Sequence, residues 1–292
     1  MCLTNLFCSI DDFWKTFVQE WNKHLLDSGR SKRGPDPELT MPEMMTIVIL
    51  FHQSGYRTFK YFYQYVTNHL KKEFPNLISY SRFVYLMKMI FVPLFAYLLQ
   101  LRGMVTGIAF IDSTSIAVCH NKRIQRNRVF SVLAKRGKTT SGWFYGFKLH
   151  LIINDKGEIL AFQITPGNVS DVTMTEVLSR GIFGKLFGDK GYISSEIGRT
   201  LLQRGLELFT GIRANMKQKL ISLRDKILLR RRSLIETVND QLKNISQIEH
   251  TRHRSPANFL INLLGGLAAY CHQPKKPSLH MDKTSFGLLT AV

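Results

Sequence analysis

The sequence predicts an α/β chain preceded by an all-helical N-terminal region, and three observations carry this. Apolar positions up to about residue 103 recur at helical spacing. Past Gly103, short apolar and alternating runs take over. The later runs then alternate strand, helix, strand, helix. Three initial strands with hairpin connections, followed by such units, predict a mixed sheet covered by helices.

Each element has its own signal. Phe13, Phe17 and Trp21 form one stripe of a helix over residues 10–26. The Gly/Pro-rich segment 31–37 is a loop. Thr40 caps the next helix, with Pro42 and Glu43 in its first turn. Ser54-Gly55 ends it, a third helix covers 56–68, and Ser79 or Ser81 starts a long helix that Pro93 kinks. The helices on either side of Ser54-Gly55 read as a candidate helix-turn-helix. Tyr61, Phe62, Tyr63 and Tyr65 read as core aromatics, as do Trp143 and Phe144, for which stacking on an unpaired base is the other reading. Residues 108–118 suit a buried strand. Residues 147–153 and 158–165 flank Asn154-Asp-Lys-Gly157 as a hairpin. A helix at 171–178, a strand at 185–188, a helix at 194–203 and a strand at 207–212 follow. Next come one long helix over 220–245 and another after Ser255-Pro256. The expected domains are 1–103, 104–272 and a basic tail, 273–292.

Composition narrows the function. The 292 residues carry 40 Lys+Arg against 21 Asp+Glu, a formal charge of +19, and 45% are hydrophobic. Enough apolar material for real cores excludes global disorder. The positive excess favours a polyanionic partner, nucleic acid before an anionic membrane. The apolar runs 44–51 and 259–271 fall short of the roughly 18–20 residues that cross a bilayer. The first residues do not read as a signal peptide. Cys2, Cys8, Cys119 and Cys271 are scattered, which predicts a reducing compartment and no zinc site. Basic residues cluster in two acid-poor stretches. One, 120–148, includes Arg136, Lys138 and Lys148; the other, 213–232, holds eight bases against Asp225 alone. Together they suggest a phosphate-binding channel.

Three acids sit where acids are unusual. Asp112 ends the apolar run 107–111, Asp189 ends 185–188, and Glu236 lies in the long helix. Strand ends of an α/β sheet are where sites are built. Converging carboxylates there can hold a pair of Mg²⁺ ions, hard cations that take oxygen ligands. Each acid alone also has a plain role, as a turn cap, a loop residue or a helix surface charge. On the helix, Leu228, Ile235, Val238 and Leu242 form the core stripe, and Arg232, Glu236 and Lys243 share an arc beside it. Asp171 reads as a helix N-cap or as a group that supports the site residues from behind, and Gly191 as a residue with an unusual backbone angle. Lys190, Lys148 and His150 are candidates to face phosphates, His150 equally a residue of a strand's polar face.

These stretches resemble the D-D-E signature of bacterial insertion-sequence transposases, and most of all the insertion-sequence-982 family. The motifs are Phe-Ile-Asp112-Ser-Thr, Phe-Gly-Asp189-Lys-Gly-Tyr and Arg232-x3-Glu236-x6-Lys243. Gly142-Trp-Phe-Tyr-Gly-Phe-Lys-Leu-His-Leu, Ile248-Glu-His-Thr-Arg-His-Arg-Ser255 and Pro274-Lys-Lys-Pro277 extend the likeness over nearly the whole chain. The resemblance implies a ribonuclease-H-like catalytic domain with Asp112, Asp189 and Glu236 as catalytic metal ligands. It implies two Mg²⁺ ions, with Mn²⁺ as a substitute. The substrate would be double-stranded DNA: the element's terminal inverted repeats and the target. Arg232, Lys243, Lys190, Lys148, Arg136 and Lys138 would contact that DNA. A homodimer or larger assembly on DNA, in the bacterial cytoplasm at the nucleoid and without a membrane partner, is expected. Relatives carry Tyr three residues before the Arg; here Leu229 stands there. The 47-residue gap from Asp189 to Glu236 is short for the insertion domain some relatives place in it. An endonuclease of the same fold, or a non-catalytic DNA-binding descendant, are the other functions these features allow.

Overall fold

The computed structural model describes residues 2–27, 38–140, 142–212, 220–249 and 253–279. Segment 31–37, the start of the second basic run at 213–219, the middle of the 248–255 motif and the end of the basic tail lie outside the described residues. Two compact units emerge. One holds Met1–Leu101 and Leu242–Pro274, the other Arg102–Gln241 with the residues from Lys275 onward.

The helical unit contains α1 (Leu3–Asp27), α2 (Met41–Gln53), α3 (Phe59–His69), α4 (Tyr80–Leu86), α5 (Phe91–Gln100) and, late in the chain, α10 (Pro256–Cys271). The caps follow the sequence. Thr40 and Glu43 close a reciprocal capping box on α2. Thr58, Ser79 and Ser255 cap α3, α4 and α10. Phe13, Phe17 and Trp21 stack ring on ring at 5.2 and 5.8 Å, with Phe13 buried. The long helix from Ser79 is divided by a 3-10 turn, Met87–Ile90, and Pro93 sits in the first turn of α5, where its missing N–H costs nothing. The stretch Tyr80–Gln100 is 21 residues with mean hydropathy 1.7, long and apolar enough to span a bilayer by those measures. Its Phe83, Ile90, Leu94 and Leu98 are instead fully buried, as in a core helix. Phe62 and Tyr63 are core, but Tyr61 (65% exposed) and Tyr65 face outward, because α3 is amphipathic and four adjacent aromatics cannot share one face. α10, expected with the sheet, packs on α2 and α5 through buried Ile261, Leu264 and Leu267.

The second unit is built on a six-stranded sheet: β1 (Ile108–Cys119), β2 (Lys135–Thr139), β3 (Gly142–Asn154), β4 (Ile159–Pro166), β5 (Gly184–Gly188) and β6 (Leu206–Thr210). The order is β2-β3-β1-β5-β6, with β4 sharing the outer edge of β3 with β2. β1, β2, β3 and β4 pair antiparallel; β5 and β6 join in parallel. This is the expected mixed sheet, flanked by helices in the manner of a ribonuclease-H-like domain. β2 was not expected; its sequence, Lys-Arg-Gly-Lys-Thr, is polar because it is an edge strand. α6 (Asp171–Leu178) and α7 (Ser195–Gln203) cover the parallel part. Ala109, Ile111, Ile152, Leu160, Leu186, Tyr192 and Leu201 make the core between them. The single long helix expected over 220–245 is two, α8 (Leu223–Arg230) and α9 (Ser233–Asn244), with the chain turning at Arg231-Arg232. The apolar stripe survives this break: Leu228, Ile235, Val238 and Leu242 are all buried. The start of the tail is held, since the Leu279 N–H donates to the Asp155 carbonyl in the β3–β4 turn.

Candidate active site

The site grows from two adjacent parallel strands. β1 and β5 pair Phe110 with Phe187, so Asp112 and Asp189 stand level, each two residues beyond that pair. β1 continues beside β3 through Asp112, while β5 stops at Gly188 and the chain turns through a 3-10 segment, Lys190–Tyr192. Asp189 Oδ1 accepts the Gly191 N–H at 2.8 Å, which fixes the carboxylate at the turn. Gly191 serves here by its size: its φ is not in the left-handed region, but a Cβ would lie 2.8 Å from Asp189 Oδ1.

α9 brings the third acid. Arg232, at the turn before the helix, reaches Glu236 Oε1 at 2.5 Å and Asp112 Oδ1 at 3.9 Å, so one guanidinium lies between two acids. Glu236 is half-exposed, Asp112 mostly buried. One turn beyond Glu236, Asn239 Nδ2 donates to Asp112 Oδ2 at 3.1 Å. Sequence reasoning missed Asn239; its signal was a polar residue three positions after Glu236, on the side of the helix that faces the sheet. Lys243 pairs with Glu249 at 3.1 Å and belongs to the helical unit, so it shares with Glu236 only the turn spacing of α9.

A fourth carboxylate lies on the other side of β1. Asp171 does not cap α6; Ser170 holds that position, and Asp171 turns its carboxylate to Ser113 Oγ (2.8 Å) and Lys148 Nζ (3.0 Å). A partly buried cation and hydroxyl offer this carboxylate more than exposed helix amides do. Lys148 is therefore turned inward. His150 is buried and bonded to Thr165 at 2.8 Å, so the polar face of its strand is covered. Exposed bases lie instead at Lys190 and along β2, at Lys135, Arg136 and Lys138. Trp143 is exposed (62%), with Lys138 Nζ 5.8 Å from its ring centroid, while Phe144 is buried; alternation along β3 sends the two rings to opposite faces.

Burial pushes the Asp112 carboxyl up to about 6; Arg232 opposes this, and the negative charges of Asp189 and Glu236 add to it. Burial also drives the Tyr192 phenol far above its ordinary range, and Asp112, Asp171 and Asp189 push it further. Asp112, Asp189 and Glu236 thus gather negative charge that Arg232 only partly offsets. Asn239 Oδ1 is buried without a hydrogen-bond partner among the described residues. Carboxylate and amide oxygens suit a hard divalent cation, and the uncompensated charge gives it a reason to bind. Among the described residues, no three acidic, histidine or cysteine side chains yet close on one point.

No curated protein matches the chain. A family model described as Transposase DDE domain matches residues 102–256, which spans the whole sheet, both aspartates and Glu236. That match covers more than half of the 292 residues, and the chain belongs to the transposase DDE domain family.

Proposed function

We propose that this transposase uses Asp112, Asp189 and Glu236 as a metal-binding triad. It would cut DNA at the terminal inverted repeats of an insertion sequence of the 982 type and join the freed 3′ ends to target DNA. The observation that carries this is the level placement of Asp112 and Asp189 on neighbouring strands, with Arg232 drawing Glu236 to the same place. Asp112, Asp189 and Glu236 would hold a pair of Mg²⁺ or Mn²⁺ ions, which would supply polarisation of the phosphate and a lowered pKa for the attacking oxygen.

The protein's own groups do the rest. In cleavage, a water oxygen forms a bond to phosphorus, the P–O3′ bond breaks, and the 3′ oxygen leaves with a proton. In joining, that 3′-OH attacks a target phosphodiester in line and the target's 3′-OH departs, so one ester replaces another and no energy source is required. Arg232 supplies a positive charge beside the reacting phosphate. Asn239 and Arg232 orient Asp112; Gly191 orients Asp189. Lys190 and the β2 edge with Arg136 and Lys138 track the backbone of the duplex. The helical unit binds the ends, Lys243 lies along the DNA path, and a dimer or larger assembly holds two ends together in the cytoplasm.

The test uses labelled duplexes bearing the inverted repeats that flank the gene. Asp112→Asn, Asp189→Asn and Glu236→Gln should each abolish cleavage and joining and leave end binding nearly intact. Substantial Mg²⁺-dependent joining by any of the three removes that residue from the triad. Cutting without joined products by the wild type points to an endonuclease.

A further inference from the structure

The helical unit contains a pocket of about 800 Å³ that the proposed triad does not use. Its size lies within the range of small-molecule sites. It is lined from α2, α4 and the first turns of α10, and it takes in His253, Arg254 and Ser255, the end of the 248–255 motif.

Three buried polar atoms of its lining residues lack a hydrogen-bond partner among the described residues. His52 is 3% exposed and Asn262 6% exposed, yet His52 Nε2 and Asn262 Nδ2 have no hydrogen-bond partner among the described residues; nor has His253 Nε2. Leaving such groups unpaired is costly, so each calls for an explanation. The packing accounts for half of His52 only. Its ring lies against Gly265 and Gly266, where a Cβ would come within 3.1 Å and 3.5 Å of it, one turn along α10 from Asn262. Its Nδ1–H donates to the Ser246 carbonyl at 2.5 Å. That bond fixes the tautomer and leaves Nε2 as a bare acceptor. A buried acceptor and a buried donor therefore belong to the lining of one pocket.

The rest of the wall is of two kinds. Phe59, Tyr80 and Tyr85 supply ring faces, Tyr85 being 59% exposed with Lys88 Nζ 4.5 Å above its ring. Arg254 is exposed at the N-terminus of α10, a 16-residue helix. A helix N-terminus with an adjacent cation favours phosphate.

An acceptor and a donor in one lining, aromatic walls and a phosphate-binding rim together describe a nucleotide. We propose that this pocket receives a single unpaired nucleotide of the bound DNA. Its base would lie against His52 and Asn262, its ring on Tyr85 and its phosphate at Arg254. Every base carries an adjacent donor and acceptor on its Watson–Crick edge, and that edge is free only when the base is unpaired. The inference rests on the proposed DNA binding by this chain and adds to it a preference for distorted over fully paired duplex.

The experiment measures full-length protein binding to two labelled duplexes of identical sequence, one fully paired and one with a single-nucleotide bulge. Wild type should bind the bulged duplex about tenfold more tightly. Tyr85→Ala, at an exposed position, and Asn262→Leu, which removes an unpaired donor without lowering the melting temperature, should each lose that preference and keep the affinity for paired DNA. Equal affinity of wild type for both duplexes overturns the pocket and leaves DNA binding standing. Binding to neither duplex overturns the DNA reading and the pocket with it. A preference that persists in both variants places the unpaired nucleotide elsewhere. Displacement of the bulged duplex by micromolar deoxyadenosine monophosphate, with paired duplex unaffected, assigns the pocket to a free nucleotide and overturns the DNA assignment.

Discussion

Asp112→Asn should make the metal-free protein more stable, and only at neutral and alkaline pH. The carboxyl is raised from 3.8 to about 6. At about 1.36 kcal/mol per unit, ionised Asp112 costs the fold roughly 3 kcal/mol as an upper limit. The direction follows from proton uptake. Between pH 3.8 and about 6 the folded protein holds a proton that the unfolded chain has lost, so stability falls as pH rises through this window and stays lower above it. Asparagine has the same shape, can still accept from Asn239 Nδ2, and carries no charge. Thermal melts of both proteins in chelator, followed by circular dichroism, should coincide near pH 4 and separate above pH 6, with the variant higher. The buried histidines and the Arg232–Glu236 pair are common to both proteins and cancel in the difference. Adding Mg²⁺ at pH 8 should raise the wild type and leave the variant unchanged. A gap between the two that does not vary from pH 4 to 8, or a variant that melts lower at pH 8, would refute the argument that Asp112 is held ionised against its surroundings.

Arg232→Ala should cost about 0.2–0.5 kcal/mol for its one-turn pair with Glu236, and more above pH 6, where Asp112 loses its offsetting charge, but should slow single-turnover joining about a hundredfold at pH 8 in Mg²⁺ with the fold intact. Unchanged joining in both Arg232→Ala and Lys243→Ala would make this arc scaffolding. His52, His150 and His253 are each pushed down to about 4, mainly by burial, so their contribution is complete above about 6.5 and lost as pH falls towards 4. The wild type should therefore also lose stability on the acid side, and His150→Gln should flatten that limb; an unchanged limb counts against burial of neutral His150. For each tenfold rise in salt, DNA affinity should fall by about 0.9 log units per phosphate contact, and Trp143→Ala should weaken it at unchanged stability. A slope near zero points to a partner other than nucleic acid.

Local order was legible in the chain because local rules write it. Thr40 and Glu43 specify a capping box wherever the helix lies, and the 3.6-residue stripe through Ile235, Val238 and Leu242 names the buried face of α9. The run ending in Asp189 marks a strand end, while Asp112 lies inside β1, which runs on to Cys119; those two acids with Glu236 were visible as a signature before any packing was known. Side-chain direction and partner choice were decided by tertiary structure. The break at Arg231-Arg232 turns a guanidinium to Asp112, 120 residues away in sequence. Asn239 enters the site because α9 faces β1 at Asp112, and Asp171 leaves its helix end because Ser113 and Lys148 offer stronger bonds. β2 is too polar for a periodicity argument and becomes a strand only because β3 presents an open edge. α10 carries no mark of which apolar partner it will choose; burial against α2 and α5 settles that, since the hydrophobic effect has no direction and shape alone selects among apolar surfaces.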